Sequence, residues 1–259
     1  MKSILKYFGL ILMAAMASLS WGADKPVKLE PGQSFALRFP DMPPTLWQQI
    51  SHKPSQPTMS VFLPTNYTPD KPFPVLIFLG GGGGSWAADP VVARKLTGEK
   101  DYICVNLPYF RKDLTPPELG INNEDVKFMW PLYKQMLAKL EQTVPNINKA
   151  RRIIGGFSNG AHVPAGLINE NGEEAADYFH AFIFVEGGVK LTRFDLIKGK
   201  ELLLLFGGQR HKDWSEVFAK PAKEAGVKVT YYEMPGVGHA FPEKYYDTVA
   251  QWLAERAKE

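Results

Sequence analysis

Cysteine is almost absent. A single residue in 259, Cys104, excludes any intrachain disulfide, so a hydrophobic core rather than cross-links must hold the fold. Cys104 lies in the apolar run Tyr102-Ile103-Cys104-Val105-Asn106-Leu107, where a thiol behaves as a small buried hydrophobe. Excess charge is missing too. The chain has 30 Lys+Arg against 27 Asp+Glu and no basic cluster interleaved with aromatics, which argues against a nucleic-acid partner. No internal repeat, low-complexity tract or interdomain linker divides it. Long hydrophobic stretches are missing except at the start, where Lys2 and Lys6 precede or flank an apolar run from Tyr7 to Leu19, followed by Ser20-Trp21-Gly22. That order fits a secretory signal peptide over 1–22 cleaved after Gly22, with a retained membrane anchor as the competing reading. Without a cysteine near the cleavage region, lipid modification has no acceptor. The expectation is an exported protein, periplasmic or secreted, with no stable membrane insertion after signal removal and one domain over 23–259.

What is present is alternation. Short apolar runs at Phe35–Phe39, Met59–Leu63, Val75–Leu79, Tyr102–Leu107, Arg152–Phe157, Ala181–Glu186, Glu201–Phe206 and Lys228–Met234 read as eight strands. Stretches of helical period fall at Asp89–Leu96, Glu124–Gln142, Ala161–Asn169, Trp214–Ala225 and Glu243–Ala257. This is an α/β pattern: a mostly parallel sheet with helices on both faces. The first two strands are linked to the third without helices, which predicts an antiparallel edge.

Three segments carry chemistry. Gly156-Phe157-Ser158-Asn159-Gly160 follows an apolar strand and precedes a helical stretch, the pattern of a strained turn that lifts a serine hydroxyl out of a sheet. Alone it carries little weight, since Gly-x-Ser-x-Gly arises by chance in roughly one chain in ten of this length. The run Val75–Leu79 enters five consecutive glycines, Gly80–Gly84, then Ser85-Trp86. With no side chains in the way, backbone N–H groups of Gly81 or Gly82, together with that of Asn159, can approach an oxyanion. A phosphate-binding loop is excluded because no Lys-Ser/Thr pair follows the last glycine. Finally, Tyr231–Met234 runs into a turn ending in Gly238-His239, where a general base would stand. Asp213, after the strand ending at Phe206, is placed to orient that histidine; it can also serve as a helix N-cap. Glu186, at the end of another strand, is the alternative acid. His162, one turn beyond Ser158, reads as packed on its own helix.

The elbow, the glycine loop, Gly238-His239 and the order serine, acid, histidine resemble the α/β-hydrolase superfamily, serine esterase type, from about Met59 onward. Within it the glycine loop is similar to that of secreted carbohydrate esterases and polyester depolymerases. One departure is Leu79, where members often carry histidine before the glycines. The resemblance implies an α/β-hydrolase fold, a triad of Ser158, Asp213 (or Glu186) and His239, and no cofactor or metal. It also implies cleavage of a small-molecule or polymeric carboxylic ester through an acyl-enzyme. The segment from Glu186 to Glu201 is too short to hold a large cap domain, which suits a bulky ester; Trp86, Tyr109, Phe110 and Trp130 are candidate substrate contacts. A hydrolase-fold binding protein without activity and a serine peptidase are the other readings.

Overall fold

A computed structural model of the chain describes residues 27–48, 56–85, 89–110, 126–207 and 213–258. The expected signal peptide over 1–22, and Trp86, His52 and His211, lie outside the described residues. In chain order, β1 (Ser34–Leu37), α1 (Pro44–Trp47), β2 (Met59–Phe62) and β3 (Phe73–Leu79) are followed by β4 (Gly84–Ser85), α2 (Val91–Thr97), β5 (Ile103–Asn106), β6 (Tyr109–Phe110) and α3 (Met129–Thr143). Then come β7 (Ile147–Phe157), α4 (Asn159–Tyr178), β8 (Ala181–Val185), β9 (Glu201–Gly207), α5 (Lys220–Glu224), β10 (Lys228–Met234) and α6 (Tyr246–Lys258).

Eight strands form one sheet in the order β1-β2-β5-β3-β7-β8-β9-β10. β2 runs antiparallel to both β1 and β5, and the six remaining strands from β5 to β10 are mutually parallel. The eight-stranded count and the antiparallel edge expected from the sequence are both present. A second, two-stranded sheet pairs Gly84 with Phe110 and Ser85 with Tyr109; two-residue strands are too short to show any hydrophobic period, so nothing in the sequence announced it.

The period of two in the strands sorts the core into two layers. Ile77 and Leu79 of β3 face α3, α4 and the helical turn Ser215–Ala219 that precedes α5, in one core cluster with Tyr133, Val163 and Phe218. Leu76 and Phe78 face α2 and α6, packing with Leu96, Val249 and Trp252. β3 is buried at every position, as a central strand covered on both sides must be. Cys104 is fully buried, and burial pushes its thiol up to about 12, consistent with an inert core residue. Among the described residues no helix is long and apolar enough to cross a membrane.

One tryptophan sits elsewhere than expected. Trp130 belongs to the core of α3, 2% exposed, with its ring edge-on to Tyr178 (5.7 Å) and Phe179 (6.2 Å). It therefore does not line a substrate surface. The apolar area of an indole is recovered between α3 and the end of α4, and aromatic neighbours are available there. Trp47 is likewise buried, where α1 packs on α3. Trp130→Ala is accordingly expected to lower the unfolding free energy by about 3–5 kcal/mol, as for other buried large aromatics, measured by urea titration; a change under about 0.5 kcal/mol would return Trp130 to the surface.

Candidate active site

β7 and α4 meet at Ser158, whose backbone (φ 57°, ψ −121°) lies in a region that residues with a side chain rarely adopt, at a cost of order 1–3 kcal/mol. The surrounding backbone holds it there. The Ser158 N–H donates to the Val185 carbonyl (2.9 Å), and the Ser158 carbonyl accepts from the N–H groups of Ala161 (3.0 Å) and His162 (3.2 Å). The flanking glycines are required by contact. A Cβ at residue 160 would stand 2.2 Å from the Leu79 carbonyl oxygen, and one at residue 156 would stand 2.4 Å from the Gly160 carbonyl carbon. The turn is thus pressed against the end of β3 by backbone alone.

His239 arrives from the loop after β10. Its Nε2 lies 2.7 Å from the Ser158 Oγ, and its Nδ1 lies 3.4 Å from the Glu186 Oε2. For the hydroxyl to donate to Nε2, the imidazole proton must reside on Nδ1, aimed at Glu186. Phe157 packs its ring 5.3 Å from the imidazole at 33°, a contact the sequence reading missed. Burial is graded across the three groups: the Glu186 side chain is 0% exposed, Ser158 is half-buried and the His239 side chain is 37% exposed. Glu186 also accepts a hydrogen bond from the Gly207 N–H, while its own N–H donates to the Leu205 carbonyl (3.0 Å).

The carboxylate beside the imidazole is therefore Glu186 and not Asp213. Asp213 is exposed, and its carbonyl accepts from the N–H groups of Glu216 and Val217 (3.0 and 2.8 Å) at the start of the following helical turn. Sheet order is the physical reason. β8 is hydrogen-bonded directly to β7, with Val185 opposite Phe157, so the residue after each strand lands beside the other. β9 is one strand farther from the elbow. Gly187 completes the junction, since a Cβ there would stand 2.3 Å from the Ser158 carbonyl oxygen.

The glycine loop passes over the elbow. A Cβ at residue 81 would meet the Phe157 ring at 2.9 Å and the Ser158 Cβ at 3.2 Å, so Gly81 lies against the serine, and Asn159 opens α4, where the first N–H groups lack intrahelical partners. The loop is tied at three places. The Tyr109 hydroxyl donates to the Gly80 carbonyl, the Asn159 side-chain amide donates to the Gly82 carbonyl (2.7 Å), and Gly84–Ser85 pairs with β6. Tyr109 is 2% exposed and burial raises its hydroxyl pKa; its hydroxyl is committed to the loop, so it acts as a prop rather than as an open contact surface. The Phe110 backbone lies in β6, and its side chain is outside the described residues.

No protein-family model and no curated protein matches the sequence. Solved structures do. The chain is similar to a thermostable esterase (TM-score 0.61, 19% identity, 86% of this chain and 62% of that one). It is also similar to an S-formylglutathione hydrolase from Agrobacterium tumefaciens (0.57, 15%, 90% and 97%) and to a fungal esterase from Rhizomucor miehei (0.55, 18%, 78% of each chain). The chain thus spans less than two thirds of the thermostable esterase's length. Sheet order, elbow and neighbours agree: the fold is that of the α/β-hydrolases.

His162, on the first turn of α4, accepts a hydrogen bond from the Gly188 N–H through Nδ1 (3.0 Å), which ties the turn carrying Glu186 to the helix carrying Ser158. Burial first, then the positive charges of Lys190 and His239, lowers its pKa from 6.5 to about 4. The folded state therefore binds fewer protons than the unfolded state between these values, so this contribution is fully present above pH 6.5 and is lost as pH falls toward 4. Partial exposure reduces the full linkage to about 2–3 kcal/mol. His162→Gln, which keeps an acceptor for Gly188, is expected to lose that much less stability than the parent between pH 7 and pH 4 in urea titrations; parallel curves would contradict the assignment.

Proposed function

We propose that the protein is an exported serine hydrolase that cleaves carboxylic esters through an acyl-enzyme. The observation that carries this reading is the 2.7 Å approach of the His239 Nε2 to the Ser158 Oγ, with a buried carboxylate behind the ring. The neutral imidazole takes the serine proton as Oγ attacks the ester carbonyl, and Glu186 stabilises the imidazolium that forms. The N–H groups of Asn159 and Gly81 receive the negative charge on the carbonyl oxygen at the positive end of α4. His239 then returns the proton to the departing alcohol, and water repeats the sequence on the acyl-serine. Leu79 in place of histidine does not leave the loop without support, because Tyr109, Asn159 and β6 hold it.

The substrate class we propose is an ester on a carbohydrate or polymeric carrier. The connection from β8 to β9 carries only a short 3-10 turn, Phe194–Ile197, so no cap rises there over the serine. The N-terminal segment Met1–Gly22 supports export.

Turnover of p-nitrophenyl acetate tests the chemistry. Ser158→Ala is expected to remove all but background, and Glu186→Gln to lower kcat by about 10³–10⁴-fold, whereas Asp213→Asn changes it less than about threefold. An Asp213→Asn loss equal to that of Glu186→Gln would reverse the acid assignment, and unchanged turnover in Ser158→Ala would end the proposal.

A further inference from the structure

The peptide that joins Gly80 to Gly81 has two polar ends with different tasks. Its carbonyl, on Gly80, accepts a hydrogen bond from the Tyr109 hydroxyl; its N–H, on Gly81, is a candidate oxyanion donor. A peptide unit is planar, and in the trans form its C=O and N–H point in opposite directions. Among the described residues no peptide is cis. Holding one end therefore aims the other. Between two glycines neither neighbour has a Cβ to resist rotation of the plane, so its direction must be set from outside.

Tyr109 holds it from a rigid base. Its backbone pairs with Ser85 in the two-stranded sheet, and its carbonyl oxygen lies so close to Gly84 that a Cβ there would stand 1.9 Å from it. The preceding carbonyl, on Pro108, accepts from the hydroxyl of fully buried Tyr133 on α3 (2.9 Å). With the backbone fixed on both sides of the phenol, the loop must conform to Tyr109. On the opposite flank a Cβ at residue 160 would stand 2.4 Å from the Gly80 carbonyl oxygen, so the peptide is confined between Tyr109 and the first turn of α4. Gly81 in turn lies against the serine, where a Cβ would stand 3.2 Å from the Ser158 Cβ. Burial raises the pKa of the Tyr109 hydroxyl, which therefore keeps the proton it donates.

The other two ties on the loop act elsewhere. The Asn159 side-chain amide donates to the Gly82 carbonyl (2.7 Å), which turns the peptide carrying the Gly83 N–H, and the pairing with β6 engages Gly84 and Ser85. Of the three, the Tyr109 bond alone acts on the plane that carries the Gly81 N–H. We infer that Tyr109 is the positioning residue of the oxyanion site: by holding the Gly80 carbonyl, its hydroxyl aims the Gly81 N–H at the substrate oxygen that becomes negative. The inference rests on the acyl-enzyme reading above. Tyr109 touches no reacting atom. The amide it aims meets a charge that exists only after the Ser158 Oγ has attacked, so losing the hydroxyl slows both acylation and deacylation and leaves binding of the intact ester in place.

The test compares Tyr109→Phe with Tyr102→Phe in the full chain. Both remove a buried tyrosine hydroxyl bonded to a backbone carbonyl; Tyr102 donates to Leu253 (2.7 Å) from just before β5, at the end of the sheet away from Ser158. Urea midpoints are expected to fall in both. In Tyr109→Phe, acylation and deacylation with p-nitrophenyl acetate are expected to slow by about 10–100-fold, less than deleting an oxyanion donor outright. Affinity for 1,1,1-trifluoropropan-2-one, which takes the serine as a hemiketal oxyanion, is expected to fall by the same factor. Inhibition by p-nitroacetanilide, the amide counterpart of the ester, and the pH midpoint of acylation, set by His239, are expected to stay at the parent values. Tyr102→Phe is expected to leave all of these readings unchanged. Parental turnover in Tyr109→Phe would overturn the inference, as would lost turnover with the ketone affinity retained. Should Tyr109→Phe not fold, Tyr109→3-fluorotyrosine keeps the ring and donates more strongly, polarising the same peptide; a rise in ketone affinity is expected, and none would overturn the assignment. Each contrary result leaves Ser158-dependent turnover, and the hydrolase reading, standing. Absence of Ser158-dependent turnover would remove both.

Discussion

Everything in this site depends on backbone meeting backbone at one point: the first turn of α4 against the end of β3. Gly160 has no room for a Cβ beside the Leu79 carbonyl, and this contact fixes how far the β7 turn can swing. With the turn held there, Ser158 stands at the mouth of the crevice formed where chain order reverses about β3, with β5 on one side and β7 on the other. Open parallel sheets place their ligand sites at such reversals, beyond the C-terminal ends of the strands. The same contact brings the glycine loop over the serine, so candidate nucleophile and candidate oxyanion donors are positioned by one junction instead of two.

Electrostatics follow from the gradient of burial. A fully buried carboxylate is unfavourable unless its charge is met. At Glu186 one oxygen accepts the Gly207 N–H and the other faces the His239 imidazole. In the ester cleavage proposed above, the imidazolium formed would answer the buried negative charge, so the stabilisation would be greatest when the serine proton has moved. His162, neutral and tied to Gly188, keeps a second positive charge away from that ring. Glu186 itself occupies a positive φ of 50°, and, like Ser158, it is a strained residue kept in place by the packing of neighbouring strands.

Much of this was legible in the residues. The eight strands, the antiparallel edge, the serine elbow, the Gly-His turn and the glycine loop all carry local signals, because each depends on a short run of residue types. The acid did not. Asp213 and Glu186 both satisfy the chain order serine, acid, histidine, and choosing between them requires knowing that β8, not β9, pairs with β7. That is a long-range fact with no local period. The discriminating sign was Gly187-Gly188 directly after Glu186: one of these glycines abuts the Ser158 carbonyl and the other donates to His162. Trp130 failed for a related reason. An aromatic near a loop reads the same whether it faces solvent or the next helix, and only the packing of α3 on α4 separates the two. Tyr109 was found but given a different task, since its hydroxyl donates to the Gly80 carbonyl and so supports the glycine loop.

The most direct test of the account is the proton NMR signal of the imidazole Nδ1–H of His239, followed in the far-downfield region where such strongly hydrogen-bonded protons resonate. A donor aimed at Glu186 predicts a protected signal that persists in Asp213→Asn and disappears or moves far upfield in Glu186→Gln. A signal that survives Glu186→Gln unchanged and is lost in Asp213→Asn would contradict the arrangement on which the whole reading rests.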